Sequence, residues 1–384
     1  MDKRTATLVL NMLPGIGPLR VRQLLSIFGD PDNILSAPTN ELARIPGIGA
    51  QLAETIRNWT SHCDLDRELD LIERGGVTLV TRDDPVYPDL LGEIHDPPLC
   101  LYVRGDSAAL QRSRYAIAFV GSRRTTHYGT RTAQQLAEAA ALAGWVVVSG
   151  LARGIDTVAH RATVDAGGST IAVLGSGLAR VYPQDNVELA RRITENKGAV
   201  ISEFPMTFRP DRRTFPMRNR IIAGLSRGCV VVEAGARSGS LITANQALEQ
   251  GRQVFAVPGP VTSPQSRGCH QLIKEGAKLV ENLGDILEEF AQPPSLFPPG
   301  SLETAPSSED TATESACDDL HLSPLERKLM GLLAQGELGV DELIAHAGEP
   351  APNVLTALLN LEMRHLVRQL PGKRVVRTNG ASLA

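Results

Sequence analysis

The sequence predicts a doubly wound α/β domain on a parallel sheet, with a small helical domain ahead of it and a small helix-and-hairpin domain behind. Three observations lead there. Between residues 110 and 290, apolar runs at 115–120, 145–149, 170–174, 199–202, 229–233, 253–257 and 278–280 alternate with helical stretches, notably 130–143, 156–166, 185–196 and 240–250. The apolar runs are rich in β-branched residues and lack polar alternation, as strands buried on both faces require. The runs at 115–120 and 145–148 each stop at a small-residue turn that opens into a helix. Strand, tight turn, helix is the unit from which doubly wound sheets are built.

A length of 384 residues suits roughly two to four domains. With 42% hydrophobic and 21% charged residues, the chain can build proper cores. No apolar run approaches the ~18–20 residues of a membrane span. The start, MDKRTATLVLNML, lacks a secretory h-region and cleavage site, so the expected location is cytoplasmic, with no membrane association. Cys63, Cys100, Cys229, Cys269 and Cys317 have no C-x-x-C spacing, which fits neither a zinc site nor a disulfide framework. No metal or cofactor is expected.

The net charge of −4 conceals an asymmetry. Residues 110–290 hold 22 Lys+Arg against 15 Asp+Glu, and 19 of the 22 are arginine, the side chain suited to bidentate phosphate contacts. Residues 291–320 hold six acidic residues and no basic one.

Five segments follow in order. Residues 1–75 form a helical domain in which MLPGIGPLRVRQLL (12–25) and RIPGIGAQLAETI (44–56) repeat a hydrophobic-Pro-Gly-Ile-Gly turn followed by a helix. This resembles the tandem helix-hairpin-helix (SAM-like) module. Such turns present N–H groups that can hold a DNA phosphate, or they simply close a compact helical unit. Residues 76–109 bridge to the main domain, with a short strand at 77–80, a proline-rich ordered loop and another strand at 99–103, all packed on that domain's edge. Residues 110–290 are the α/β domain. Residues 291–320, rich in Pro, Ser and acidic residues without periodicity, read as a disordered tether. Residues 321–384 read as three helices and a two-stranded hairpin, the winged-helix order, for contact with DNA or with protein.

The chemistry concentrates in turns after strands. The first is Gly121-Ser122-Arg123, the second Ser149-Gly150-Leu151-Ala152-Arg153-Gly154, the third Gly175-Ser176-Gly177, and a fourth Arg237-Ser238-Gly239-Ser240. Arg218, Asn219 and Arg220 come together just before an expected helix. In a parallel sheet these turns meet at the carboxyl end, where backbone N–H groups and arginines can hold phosphate. The first turn lacks the G-x-G-x-x-G pattern, and no carboxylate ends the second strand to grip a ribose, which argues against a dinucleotide enzyme. Asp156 and His160, four apart on one helix, are expected to hydrogen-bond each other and brace the loops.

GSR (121–123), SGLARGIDTVAH (149–160), GSG…YPQDN (175–186), FPMRNRIIAGLS (215–226), EAGARSGSLITA (233–244), GRQVFAVPG (251–259) and LIKEGA (272–277) follow in the order of the DNA-processing protein A family (DprA, also called Smf), which this chain resembles. The resemblance covers the whole α/β domain. It implies a Rossmann-like fold and a non-enzymatic protein that binds single-stranded DNA without sequence preference, dimerises through that domain and loads the RecA recombinase during natural transformation. By the same resemblance the phosphate pocket falls on Gly121, Ser122 and Arg123, walled by Ser149, Gly150 and Gly154. Arg218, Asn219, Arg220 and Ser238–Ser240 are its neighbours in a basic groove, and the turns themselves add Arg153, Gly177 and Arg237 to the expected single-strand site. Where the family has G-x-N-x-L-I, this chain has His270 for the asparagine.

Two rival readings stand beside it. One is a nucleotide-hydrolysing enzyme similar to the lysine-decarboxylase-like phosphoribohydrolases, with Glu233 as its acid. EAGARSGSLITA lacks their P-G-G-x-G-T-x-x-E pattern. The other is a sequence-specific regulator acting through the terminal winged helix.

Overall fold

The computed structural model describes residues 1–290 and, further on, 324–333, 338–347, 349, 354, 357–358, 361, 367–370 and 374–377. The tether expected at 291–320 lies outside the described residues. The chain divides into two compact units, Met1–Ser301 and Leu302–Ala384.

The first unit is organised by nine strands: β1 (Val77–Thr81), β2 (Cys100–Gly105), β3 (Ala116–Gly121), β4 (Val146–Ser149), β5 (Thr170–Val173), β6 (Ala199–Ser202), β7 (Gly228–Glu233), β8 (Gln253–Ala256) and β9 (Lys278–Leu279). They lie in the order β1-β2-β6-β5-β4-β3-β7-β8-β9. From β6 to β9 every pairing is parallel, whereas β1–β2 and β2–β6 are antiparallel. The bridge thus does more than rest on the domain edge. Its two strands extend the sheet and cover the edge that β6 would otherwise expose.

The strand β3 shows why these segments are strands. Ile117 and Phe119 enter one core with Ala133, Leu136, Ala137 and Ala140 of the helix His127–Leu142. Ala116, Ala118 and Val120 enter the other, with Ile221 and Ile222 of the helix Thr214–Gly224 and Ala244 and Ala247 of the helix Ser240–Glu249. Both faces are buried, so no position is left for polar alternation. From β3 the chain winds outward through β4, β5 and β6, then returns to lay β7 on the opposite flank of β3. That reversal opens a crevice above the carboxyl ends of β3 and β7.

The N-terminal repeat forms as its spacing predicts. The turns before helices Pro18–Phe28 and Ala50–Arg57 bury Ile16 and Ile48. Arg20 donates to Gly15 O (2.7 Å) and Gly47 O (3.3 Å), tying the two hairpins together. This region is not separate from the sheet: Leu8 packs with Val77, Leu79 and Tyr102, and Asn11 Nδ2 donates to Glu203 O at 2.9 Å.

In the second unit, helices Pro324–Leu332 and Val340–Ala347 accompany a small antiparallel sheet. It comprises Leu338–Gly339, Arg374–Arg377 and Val367–Leu370 in that order, one short strand more than the sequence suggests. Of the third helix, residues 354, 357, 358 and 361 are described; all are buried, at the spacing of one helical face.

Candidate nucleic-acid interface

The crevice holds a cavity of about 900 Å³ walled by the turn after β3, the turn after β7 and the helix Thr214–Gly224. The first turn is compact: Ser122 N donates to Glu233 O (2.7 Å), and Arg124 N donates to Ser122 Oγ (3.1 Å). The second turn, after β4, braces it from below. Gly154 has φ +86°, and a Cβ there would lie 2.1 Å from Ser122 O, so only glycine lets the two turns touch. Leu151, buried at φ 54°, is the one non-glycine residue at positive φ among the described residues. Asn186 Nδ2 holds its carbonyl at 2.8 Å, so packing maintains a conformation a leucine disfavours.

Asp156 and His160 brace these turns separately and do not bond each other as the sequence reading expected. Asp156 Oδ2 accepts from Gly150 N (3.1 Å) and Ala152 N (3.3 Å), pinning the second turn. His160 Nδ1 instead meets Thr170 Oγ1 at 2.7 Å. That hydroxyl donates to Val147 O at 2.6 Å, so Nδ1 carries the donated proton. Burial, aided by the Arg218 charge, pushes the His160 imidazole down to about 3. The unfolded chain therefore takes up a proton near pH ~6.5 that the folded chain refuses until far lower pH. Stability held above this window is lost as pH falls through it, by up to ~1.4 kcal/mol per unit. Chemical denaturation across it should show the parent losing stability more steeply than His160→Gln; parallel curves would contradict the buried neutral imidazole.

Arg218, Asn219 and Arg220 lie within the helix Thr214–Gly224, not before it. Helical spacing sends residues two apart to opposite sides, and their surroundings differ accordingly. Arg218 lines the cavity floor, where Nη1 donates to Gly150 O (2.7 Å) and to Val173 O. Burial pushes its guanidinium down to about 10, with Asp156 opposing and Arg123 adding to that shift, so it stays cationic near neutrality. Arg220 is no part of the cavity. It is buried and bonded to Glu203 (2.6 and 2.8 Å) and Asp96 (2.9 Å), a correction to the groove read from sequence.

The other predicted residues divide between wall and frame. Gly121, Ser122, Arg123, Asn219, Arg237, Ser238, Gly239 and Ser240 reach the wall. Ser149, Gly150 and Gly154 lie in the frame behind it, Ser149 Oγ donating to Phe119 O at 2.6 Å, whereas Gly177 lies outside the lining against Pro205 and Met206. Arg153 points to the surface, paired with Asp185 at 2.7 Å. His270, in the family's asparagine position, places Nε2 2.9 Å from Gly259 O.

Among the wall residues that escaped the sequence reading, four carry a charge or an aromatic ring: Arg124, Tyr182, Arg212 and Phe215. Arg123 lies over Phe215, its guanidinium carbon 5.4 Å from the ring centroid, and Tyr182 is 5.8 Å from the same ring. Five arginines (123, 124, 212, 218, 237) thus share one wall with two aromatic rings. Its single carboxylate, Asp156, is tied to loop N–H groups. Glu233 is not on the wall; its carboxylate accepts from Thr126 N (2.9 Å) and Oγ1 (2.6 Å) at the start of the helix His127–Leu142.

Comparison with known proteins identifies three regions. Residues 78–291 match the family model for DNA recombination-mediator protein A, 305–373 that for the DprA winged helix domain, and 8–58 that for a SAM-like helix-hairpin-helix tandem. Protein Smf of Escherichia coli K12 is 40% identical over 310 residues, covering 80% of this chain and 79% of that protein. Among solved structures, DNA processing protein A of Streptococcus pneumoniae superimposes with a TM-score of 0.66 at 36% identity, over 76% of this chain and all of that one. DNA processing protein A of Helicobacter pylori, whose structure was described for its single-stranded DNA binding mode, gives 0.50 at 28% identity, over 55% of this chain and 95% of that one.

Proposed function

Since the chain belongs to the DNA recombination-mediator protein A family, also called DprA or Smf, we propose that its cavity binds single-stranded DNA without sequence preference. The observation that carries this reading is the wall itself: five arginines and a serine-lined pair of turns face a cavity whose only carboxylate is already bonded. Phosphates pair with Arg123, Arg124, Arg212 and Arg237 and with the N–H groups of the turns. Arg218 supplies charge from the floor while holding the ends of β4 and β5. The H. pylori relative's single-stranded DNA binding supports the same assignment.

Tyr182, 46% exposed beside Phe215, offers a face on which an unpaired base can stack. Tyr182→Ala should cost ~1–3 kcal/mol of binding to oligo-dT, and an unchanged affinity would remove the ring from the interface. A rival role as a nucleotide hydrolase loses its acid, because Glu233 caps a helix away from the cavity. Base release from nucleoside monophosphates that vanishes in Glu233→Gln would restore it.

The wider role follows from family membership. The chain is proposed to act in the cytoplasm as a homodimer joined through the Rossmann-like domain, loading the RecA recombinase onto strands taken up in natural transformation. The division into 1–75, 76–109, 110–290, 291–320 and 321–384 is kept as part of this proposal. Loading is tested on single strands precoated with single-strand-binding protein. Adding the chain should shorten the lag before recombinase-dependent strand pairing, and an unchanged lag would overturn that step. No helix among the described residues is long and apolar enough to cross a membrane.

A further inference from the structure

Beyond the cavity rim, the loops that follow β5 and β6 run side by side. Gly177 N donates to Phe208 O and Ala179 N to Met206 O, both at 3.0 Å. A Cβ on Gly177 would lie 2.0 Å from Pro205 O, so the two backbones are in direct contact. Together they make a fixed ledge. Tyr182 on one loop and Arg212 and Phe215 after the other belong to the cavity wall, so the ledge continues that wall outward.

The ledge carries side chains that the cavity does not use. Arg180, Arg209 and Arg213 are exposed and lie outside the cavity lining. Among the described residues, no hydrogen bond or ion pair engages the guanidinium groups of Arg180 and Arg209. Arg213 is 91% exposed and meets only Asp211, at 3.4 Å. An exposed pair of that kind holds its arginine weakly. Next to Arg209 in the chain, Phe208 is 39% exposed and stacks on Phe204, with centroids 4.8 Å apart and planes at 20°. The inner ring is buried and fixes the outer one, leaving a flat apolar face toward solvent.

We propose that this ledge is a second binding segment for the same single strand. The nucleotides leaving the cavity place their phosphates against Arg180, Arg209 and Arg213 and stack a base on Phe208. A cation cluster alone would serve any polyanion. A presented ring selects a strand whose bases are free to leave the stack, which a duplex does not offer. The inference rests on the reading of the cavity as a single-strand site.

The test compares the full chain with a Phe208→Ala/Arg209→Ala/Arg213→Ala variant on oligo-dT of about 6 and about 20 nucleotides. Arg209 and Arg213 are exposed and Phe208 packs on Phe204 alone among the rings, so an unchanged melting temperature and unchanged binding of the short strand report that the variant keeps its fold. On the long oligonucleotide the variant should bind at least about tenfold more weakly, with a log–log salt slope shallower by ~1.4, the release of counterions from two phosphates. On the short one it should match the parent, because the cavity is intact. Equal binding of the long strand overturns the ledge, as does an equal loss on both lengths. A parent that binds neither length overturns the cavity reading and the ledge with it. An Arg123→Ala control, weakened on both lengths, separates failure of the ledge from failure of the cavity.

Discussion

Replacing Arg123 with alanine is expected to weaken single-strand binding by ~1.5–3 kcal/mol, about ten- to a hundredfold, the value of hydrogen bonds to a charged group. The loss should be the same for oligo-dT and mixed sequences, because phosphate contacts position a strand without reading it. It should also make the salt slope shallower by ~0.7, one phosphate's share for a single strand. Arg123 is exposed, lies over Phe215 and stands on the turn that Ser122 ties to the end of β7. Its removal therefore leaves no buried group unpaired, and the melting temperature should not move. Equal binding of variant and parent in a filter assay would contradict the assignment.

Arg220→Ala, only two positions from Arg218 on the cavity floor, should do the reverse. It leaves the buried Glu203 without its two charged hydrogen bonds. Breaking a buried pair in this way costs ~3–5 kcal/mol of stability. The double variant Arg220→Met/Glu203→Met, which removes both charges, should recover most of that loss. At temperatures where the single variant stays folded, its oligo-dT affinity should match the parent's. An unchanged stability with weakened DNA binding would return Arg220 to the groove.

These two residues show what was legible in the sequence. The strands were readable because burial on both faces removes polar alternation, and β3, β4 and β7 fall within a residue or so of their apolar runs. The candidate cavity lies where the small-residue turns after β3 and β7 meet, although glycines and serines of the other turns, such as Ser149 and Gly154, only brace it. Orientation around a helix was not readable without that helix's limits. Placed ahead of a helix, Arg218, Asn219 and Arg220 read as one basic cluster; placed inside it, they separate into a floor residue, a wall residue and a buried strut. Asp156 and His160 had helix-face spacing for a bond, but a buried residue bonds whichever partner its neighbouring strands offer. For His160 that was Thr170 on β5. Tyr182 and Phe215 lie in the YPQDN and FPMRNRIIAGLS motifs, yet an aromatic content of 4% gives no sign that two rings converge on one wall.

Under the proposed function, the crevice at the ends of β3 and β7 holds a single strand through its phosphates. The most direct measurement is the affinity of the full chain for single- and double-stranded oligonucleotides of equal length across a salt series. Preferential binding of the single strand is expected, with affinity falling steeply and linearly in log–log form. Equal affinity for the duplex, or a flat salt dependence, would contradict it.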